Sequence, residues 1–444
     1  GIFLESQFAT ISCDVYERDA FIMKLDSSGN TVWAKSFGGY SADKACNIVL
    51  DDFGNIYCAG TYYDSADFDP GLGIAMLHAG SFSEAYFLAK FDNNGNYIWA
   101  KNFIPGGSIS INSIGLDVDS DNNVVMAQYA EGTMDLDPGA ATSLFNYAEG
   151  GFVTKLDPTG NSMWIKTFDS LYFFNLTIDN ADNICLVGMF ADTCDVDPGP
   201  GIYNLTSNGW FDTFLFKLDK NGNFKWGHTL GDADDDYCWS VTTDNLNNVY
   251  TTGLFDSFYL SPGTPVDMDP GSGTFYLNIS EAFDSWVRIL DSNGVFKWAC
   301  LFAGYWDEQG HDVTIDNANN ILLTGYYAGT IDFNPGPLAD SLTASGGDVY
   351  TVKLSQPNMP TTQLEKTQYS PIVNAWPNPT NGCINLELKE TAFIEIISFE
   401  GKKVISKNLQ TGLNQLDISN LSNGVYMLIA VTTTGNNSFK LVKQ

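Results

Sequence analysis

Apolar and polar side chains alternate along most of this chain with a period of two. Asn47–Tyr62 reads NIVLDDFGNIYCAGTY and Tyr86–Phe103 reads YFLAKFDNNGNYIWAKNF. Each places β-branched and aromatic residues in alternation on both sides of an Asp-x-x-Gly-Asn turn or a close variant. Successive strand side chains face opposite ways, so each stretch predicts a β-hairpin. The turn Asp accepts from nearby backbone N–H groups, and Gly or Asn tolerates the positive φ of a short hairpin. No window sustains apolar residues at i, i+3, i+4 and i+7 over several turns, so long amphipathic helices are not expected.

The hairpins repeat. Strands named A to D in order are predicted as follows. A strands fall near 47–51, 114–118, 175–179, 240–244 and 312–316. B strands fall near 55–62, 123–129, 183–190, 248–255 and 320–327. C strands fall near 20–25, 86–91, 151–156, 213–218, 285–290 and 349–354, and D strands near 32–37, 97–103, 162–168, 224–230 and 296–302. Trp33, Trp99, Trp164, Trp226 and Trp298 recur on strand D at steps of 66, 65, 62 and 72 residues. Two markers in one register, this Trp and the Asp-x-Asp/Asn-Pro-Gly box below, indicate one repeated unit. Four strands at this period predict the blade of a β-propeller. The period-2 pattern excludes a helical solenoid, and a parallel β-helix needs shorter repeats. The Trp on strand D is expected to pack between neighbouring sheets.

The expected fold is all-β: a β-propeller of about six blade positions over residues 1–355, a linker over 356–371, and a small β-sandwich over 372–444. Gly1-Ile2-Phe3 compares with the end of a B strand at Gly188-Met189-Phe190, and the last repeat has A, B and C but no D. Those ends predict an N-terminally truncated chain that forms an open or imperfectly closed arc.

Composition narrows the picture. Hydrophobic residues make up 44% of 444, enough for a core. The net charge is −32; residues 371–444 hold five acids and six Lys, so residues 1–370 carry −33. Such a surface repels phosphate backbones, which disfavours nucleic acid and suits cations or basic partners. The eight Cys form no C-x-x-C and keep no register, so they read as small buried apolar residues rather than zinc ligands or repeat disulfides. No apolar run has the length of a transmembrane segment, and no signal peptide is visible.

The boxes are Asp67-Phe68-Asp69-Pro70-Gly71, then DLDPG, DVDPG, DMDPG and DFNPG. Residues i and i+2 of an extended segment share a face. Asp67 and Asp69, Asp135 and Asp137, Asp195 and Asp197, Asp267 and Asp269, and Asp332 with Asn334 therefore converge in pairs, with the intervening residue turned inward. Carboxylate oxygens suit Ca²⁺, which makes these Asp residues weak calcium candidates, with carbonyls and water completing each site. The other reading is a capped turn, in which Asp accepts backbone N–H groups and Pro-Gly sets the bend.

Catalytic signatures are sparse. His78, His228 and His311 occupy unrelated repeat positions, and no G-x-S-x-G, H-E-x-x-H or P-loop occurs. A glycosidase pair of carboxylates remains open among 53 acids. The least repeat-like segment is Asp232–Asp236, followed by Tyr237 and Trp239. It reads as a solvated loop, or as a rim that meets a sugar through Trp239; Trp306-Asp307-Glu308 stands at the equivalent place in the next repeat.

Two resemblances follow. The patterns D-x-F-x-x-K-L-D, G-N-x-x-W-x-K-x-F and D-x-x-G-N-I-Y-x-x-G, over residues 15–354, resemble the bacterial β-propeller repeat called SBBP. That resemblance implies architecture and no catalytic residues. Residues 372–444 resemble the C-terminal sorting domain of the type IX secretion system of Bacteroidetes, through Pro377-Asn378-Pro379 with Gly382, Gly401-Lys402, the run ending Gly424-Val425-Tyr426, and Lys440 to Lys443. It implies export by the type IX machinery to the medium or cell surface. The expected function is a secreted or surface-displayed, non-catalytic protein that binds an extracellular glycan or protein. The alternatives are a carbohydrate-active hydrolase or lyase using rim carboxylates, and a purely structural surface-layer component.

Overall fold

A computed structural model describes residues 4–5, 10–11, 18–80, 83–106, 113–139, 141–256, 265–280, 282–304, 306–335, 340–355, 372–377, 379–389, 391–398, 402–431 and 436–444. The chain forms two compact units, Gly1–Met359 and Pro360–Gln444. Among the described residues every regular element is a strand. The comparison drawn for Gly1-Ile2-Phe3 lies outside the described residues.

In the first unit the predicted hairpins pair into four-stranded antiparallel sheets of strand order A-B-C-D. One holds Lys44–Leu50, Ile56–Tyr63, Glu84–Phe91 and Tyr97–Phe103. The next holds Gly115–Val118, Val124–Asp135, Leu144–Leu156 and Ser162–Asp169. Then come Leu171–Ile178, Ile184–Phe190, Asp212–Leu218 and Phe224–Leu230. Asp236–Thr243, Val249–Phe255, Asp284–Leu290 and Phe296–Phe302 follow. The last sheet has three strands, Glu308–Ile315, Ile321–Asp332 and Ser341–Leu354. Ahead of them all, Ala20–Leu25 pairs with Thr31–Gly39 as a C–D hairpin.

Neighbouring sheets meet through their A strands. Asn47 Nδ2 donates to the Ile114 carbonyl at 2.9 Å, Ser113 Oγ to the Phe174 carbonyl at 2.9 Å, and Ser240 Oγ to Asp312 Oδ1 at 2.6 Å. Between sheets the cores are continuous: Phe168 of one D strand packs with Phe173 and Phe216 of the next sheet, at 5.5 and 5.4 Å between ring centres. Most A strands carry a β-bulge at Cys46, Phe174, Trp239 or His311. The bulge pushes a carbonyl across the B strand. A Cβ on Gly253 would lie 1.7 Å from the Tyr237 carbonyl, so only glycine fits there.

One end of each four-stranded sheet carries the A–B and C–D turns, and here the sheets are clasped. Lys155 Nζ pairs with Asp119 of its own A–B turn at 2.6 Å and donates to the Lys220 carbonyl in the next sheet's C–D turn at 3.1 Å. Trp164 Nε1 donates to the same carbonyl at 3.2 Å. Lys217, Asp179 and Trp226 repeat this around the Ser292 carbonyl, and Lys90, Asp51 and Trp99 around the Pro158 carbonyl. Trp99, Trp164 and Trp226 thus fasten neighbouring sheets, whereas Trp33 Nε1 is buried without a hydrogen-bond partner. Ile289 stands where the Lys would be in the Asp284–Leu290 strand, and there the Tyr250 hydroxyl donates to Asp244 instead, at 2.9 Å.

Among the described residues the second unit has seven strands in two antiparallel sheets. One holds Ile372–Trp376, Cys383–Leu388 and Gly412–Asp417; the other holds Lys403–Leu409, Ala392–Ser398, Gly424–Val431 and Asn436–Lys443. Ile384, Leu386 and Leu416 share one core with Ile394, Ile396, Leu428 and Leu441. Thr380 holds the last residues: its N–H donates to the Val442 carbonyl and its carbonyl accepts from Gln444 N–H, both at 2.9 Å.

The clasp generates a stability prediction. Lys217 and Asp179 side chains are each 1% exposed, and removing one partner strands a buried charge. Lys217→Ala should lower unfolding free energy by about 3–5 kcal/mol in urea titration, whereas Lys297→Ala on the exposed face should change it by less than about 0.5 kcal/mol.

Candidate functional site

The opposite end of each sheet carries the B–C and D–A connections, and the five boxes lie here. Each box forms the loop of a small hairpin between strands B and C, such as Ser65–Asp67 with Met76–His78. The residue between the two acids is buried, as the spacing predicts: Phe68, Leu136, Val196, Met268 and Phe333. Asp67 Oδ1 accepts from the N–H of Asp69 at 3.0 Å and of Ala75 at 2.8 Å, and Asp69 Oδ1 from Gly71 at 2.8 Å. Asp135 and Asp137, Asp195 and Asp197, and Asp267 and Asp269 repeat the pattern. Asp332 accepts from Asn334 and Asp340. Among the described residues no group of three or more His, Cys, Asp or Glu side chains is arranged to hold a metal ion. A cation at this end would draw on backbone carbonyls and water as well as carboxylates.

A second set of acids sits at the joints between sheets. Strand C of one sheet begins beside strand A of the next, and a backbone bond links them: Asp236 N–H to the Phe211 carbonyl at 2.7 Å, and Glu308 N–H to the Phe283 carbonyl at 2.8 Å. The adjoining side chains are Asp212 with Asp236 and Asp284 with Glu308, all fully buried. Asp19 and Asp43 stand at the same place earlier in the chain, where Asp43 N–H donates to the Arg18 carbonyl at 2.6 Å. Each acid caps the loop before it. Asp212 Oδ2 accepts from Asn208 N–H at 2.9 Å, Asp236 Oδ2 from Asp232 N–H at 2.8 Å, and Glu308 Oε2 from Gly304 N–H at 2.8 Å.

Three of these acids, with Asp232 beside them, keep an unmatched oxygen. Asp212 Oδ1, Asp236 Oδ1 and Glu308 Oε1 are buried without a hydrogen-bond partner, as is Asp232 Oδ2. Burial pushes Asp212 and Asp284 up to about 6 and Glu308 up to about 8, the charge of Asp284 adding to the last. Asp236 rises well above the carboxylate range through burial and the charges of Asp232 and Asp212. Around these joints three aromatic side chains are exposed: Tyr40 (90%), Trp210 (77%) and Trp306 (58%). They precede Asp43, Asp212 and Glu308 by three, two and two residues.

The acidic segment Asp232–Asp236 is therefore not the solvated loop its composition suggests, because Asp234 and Asp236 are buried in the joint. Trp239 sits on an A-strand bulge, with its ring 4.5 Å from Phe174 and 5.2 Å from Tyr237 between centres, both stacked. Of the histidines, His78 bonds Ser65 at 2.8 Å, burial and then Arg288 push His228 down to about 4, and burial lowers His311. Five of the described cysteines, Cys58, Cys185, Cys194, Cys238 and Cys300, are buried thiols. The joint acids escaped sequence reading because each pair joins two sheets. Their trace was the recurrence of Asp19, Asp212 and Asp284 seven residues before the C–D turn Asp.

In the second unit, Asn378 and Gly401 lie outside the described residues. Pro377 and Pro379 are exposed, and the Gly382 carbonyl accepts from Ile418 N–H at 2.6 Å. Gly424 pairs with Lys443 and Met427 with Lys440, and the Tyr426 hydroxyl donates to the Ser422 carbonyl at 2.8 Å.

The family described as a secretion system C-terminal sorting domain (Por_Secre_tail) matches residues 374–444. An uncharacterized WD repeat-containing protein of Acanthamoeba polyphaga mimivirus is 29% identical over 200 residues, 40% of this chain and 14% of that protein. The sorting-domain match supports a chain sorted by the type IX secretion system and a contact with that machinery. The likeness to a WD-repeat protein hints at propeller repeats in the first unit. Among the described residues no helix is long and apolar enough to cross a membrane.

The turn caps make acid sensitivity predictable. Burial opposes ionisation of Asp157, but bonds from the Thr159 hydroxyl and from Asn161 outweigh it and hold the group at about 2. Its folded value lies below the ordinary 3.8, so its stabilisation is present above pH 3.8 and fades as pH falls towards 2. Thermal melts of wild type and Asp157→Asn should converge across that window and differ above it.

Proposed function

We propose that this chain is an exported, non-catalytic recognition protein. In this reading residues 1–355 form a β-propeller of the SBBP type, 356–371 a linker, and 372–444 the address read by the type IX machinery of a Bacteroidetes-type bacterium. The product acts outside the cell or on its surface, and its ligand is an extracellular glycan. The observation that carries the reading is the placement of Tyr40, Trp210 and Trp306, exposed on one end of the sheets, each at a joint between sheets. Flat aromatic faces beside polar loops suit sugar rings, and several weak contacts on one rigid body add by multivalency. The opposite end is consumed by the clasps. The boxes brace their hairpins, and calcium bound there would add to loops already held by hydrogen bonds.

The paired acids at the joints, Asp212, Asp236, Asp284 and Glu308, are fully buried, whereas Tyr40, Trp210 and Trp306 are exposed. This favours binding over hydrolysis. A glycan array probed with the full chain tests the reading. Wild type should retain at least one glycan class, and the triple variant Tyr40→Ala, Trp210→Ala, Trp306→Ala should lose it while melting at the same temperature. Absence of any glycan signal, or equal binding by the triple variant, would overturn it.

A further inference from the structure

We propose that the paired carboxylates at the sheet joints bind a divalent cation of the calcium class, with Asp212 and Asp236 as the best-built site. The pair converges over Gly231. A Cβ placed there would lie 2.8 Å from Asp212 Oδ1 and 2.6 Å from Asp236 Oδ2, so the two groups flank one small volume. Backbone N–H groups fix Oδ2 of each acid, while Asp212 Oδ1 and Asp236 Oδ1 are buried without a donor. Asp232 Oδ2 is also buried without a donor, but Asp232 does not join the pair in a three-side-chain group. Among the described residues no ion pair reaches Asp212, Asp232 or Asp236. Two ionised carboxylates side by side in a buried joint can only accept, so the pair needs either a positive partner or a shared proton, and the test below separates the two.

The chemistry of the donors selects the ion. The groups are oxygens alone, with neither imidazole nor thiolate, which suits Ca²⁺ over zinc or copper. The side chains by themselves are too few, and main-chain oxygens lie at hand. A Cβ on Gly209 would lie 2.6 Å from the Ala233 carbonyl oxygen and 2.8 Å from that of Asp232, which places both carbonyls against the loop leading to Asp212. Carbonyls of 232–233 and water can complete a shell of six to eight oxygens.

A third joint supplies the internal control. Gly150 and Leu171 occupy the two acid positions there, yet a similar backbone bond forms, from Ser170 N–H to the Glu149 carbonyl at 3.2 Å. Sheet packing therefore does not require the acids. They recur only where a pair can form: Asp212 with Asp236, Asp284 with Glu308, and Asp19 with Asp43, whose carboxylates flank Gly38 at 2.7 and 2.5 Å from its Cβ position. In the Asp284 pair Ser280 bonds both oxygens of Asp284, leaving Glu308 Oε1 alone, so that joint is the weaker site. An ion at Asp212 and Asp236 would also fix the loop that carries Trp210. The inference stands without the glycan reading.

The test uses the full chain, stripped with chelator and dialysed, then titrated with CaCl₂ by calorimetry and thermal melting. Wild type should take up calcium and gain about 5 °C in melting temperature at saturation. Asp212→Asn with Asp236→Asn should lose the tightest binding event. Its calcium-free form should melt no lower than calcium-free wild type, because the repulsion is gone. Asp195→Asn with Asp197→Asn, in a box, should keep the response. If the double joint variant fails to fold, Asp236→Asn alone and ion counting by native mass spectrometry replace it. The proposal is overturned if wild type shows no calcium response, if the response survives in the joint variants, or if it is lost in the box variant instead. It is also overturned if lowering pH from 8 to 5 alone stabilises the chelated protein and calcium adds nothing, since a shared proton then neutralises the pair.

Discussion

The interaction on which the first unit depends is a lysine shared between two turns. Lys155 neutralises Asp119 in its own sheet and reaches a carbonyl in the next, and the Trp164 indole closes on that same carbonyl. A β-sheet covers its faces well, but it has no means of fixing its angle to a neighbour. A buried charge with a partner on one side and a carbonyl on the other supplies that angle, because misplacing it leaves an ammonium unsolvated. The substitution of Ile289 for Lys, answered by Tyr250 on Asp244, shows the demand that a buried turn Asp makes on its surroundings.

With one end closed, the other end is where the sheets differ. Box hairpins lengthen strands B and C there, and exposed rings stand beside buried acids. The strongly negative unit thus divides its acids into three kinds. Turn caps are paid in hydrogen bonds and one lysine, box acids are met by backbone N–H groups, and at the joints Asp212, Asp236 and Glu308 keep an oxygen without a donor. Charge alone did not separate these classes, and geometry does.

Much of the fold was legible because its signals are local. A turn Asp, a Gly or Asn after it and alternating flanks specify a hairpin within about 16 residues, and five repeats average out error. Strand A was read short for a physical reason. Its predicted starts at 47, 175, 240 and 312 each follow a bulge residue, where the period of two breaks; the structure begins these strands at Lys44, Leu171, Asp236 and Glu308. The joints were not legible, since Asp212 and Asp236, Asp284 and Glu308, and Asp19 and Asp43 are each 24 residues apart and belong to different sheets. The tail was read from its motifs, but the grip of Thr380 on the last residues is a tertiary contact that no motif announces.

The central claim is that one end of the first unit is locked for stability and the other is left open for recognition. Native-state hydrogen exchange read by mass spectrometry tests it most directly. The account predicts slow exchange in peptides that hold the clasped turns, around 117–124, 155–162 and 217–224, and faster exchange in the joint loops around 37–43, 207–212 and 303–308. Equal protection at the two ends, or faster exchange at the clasped turns, would contradict it.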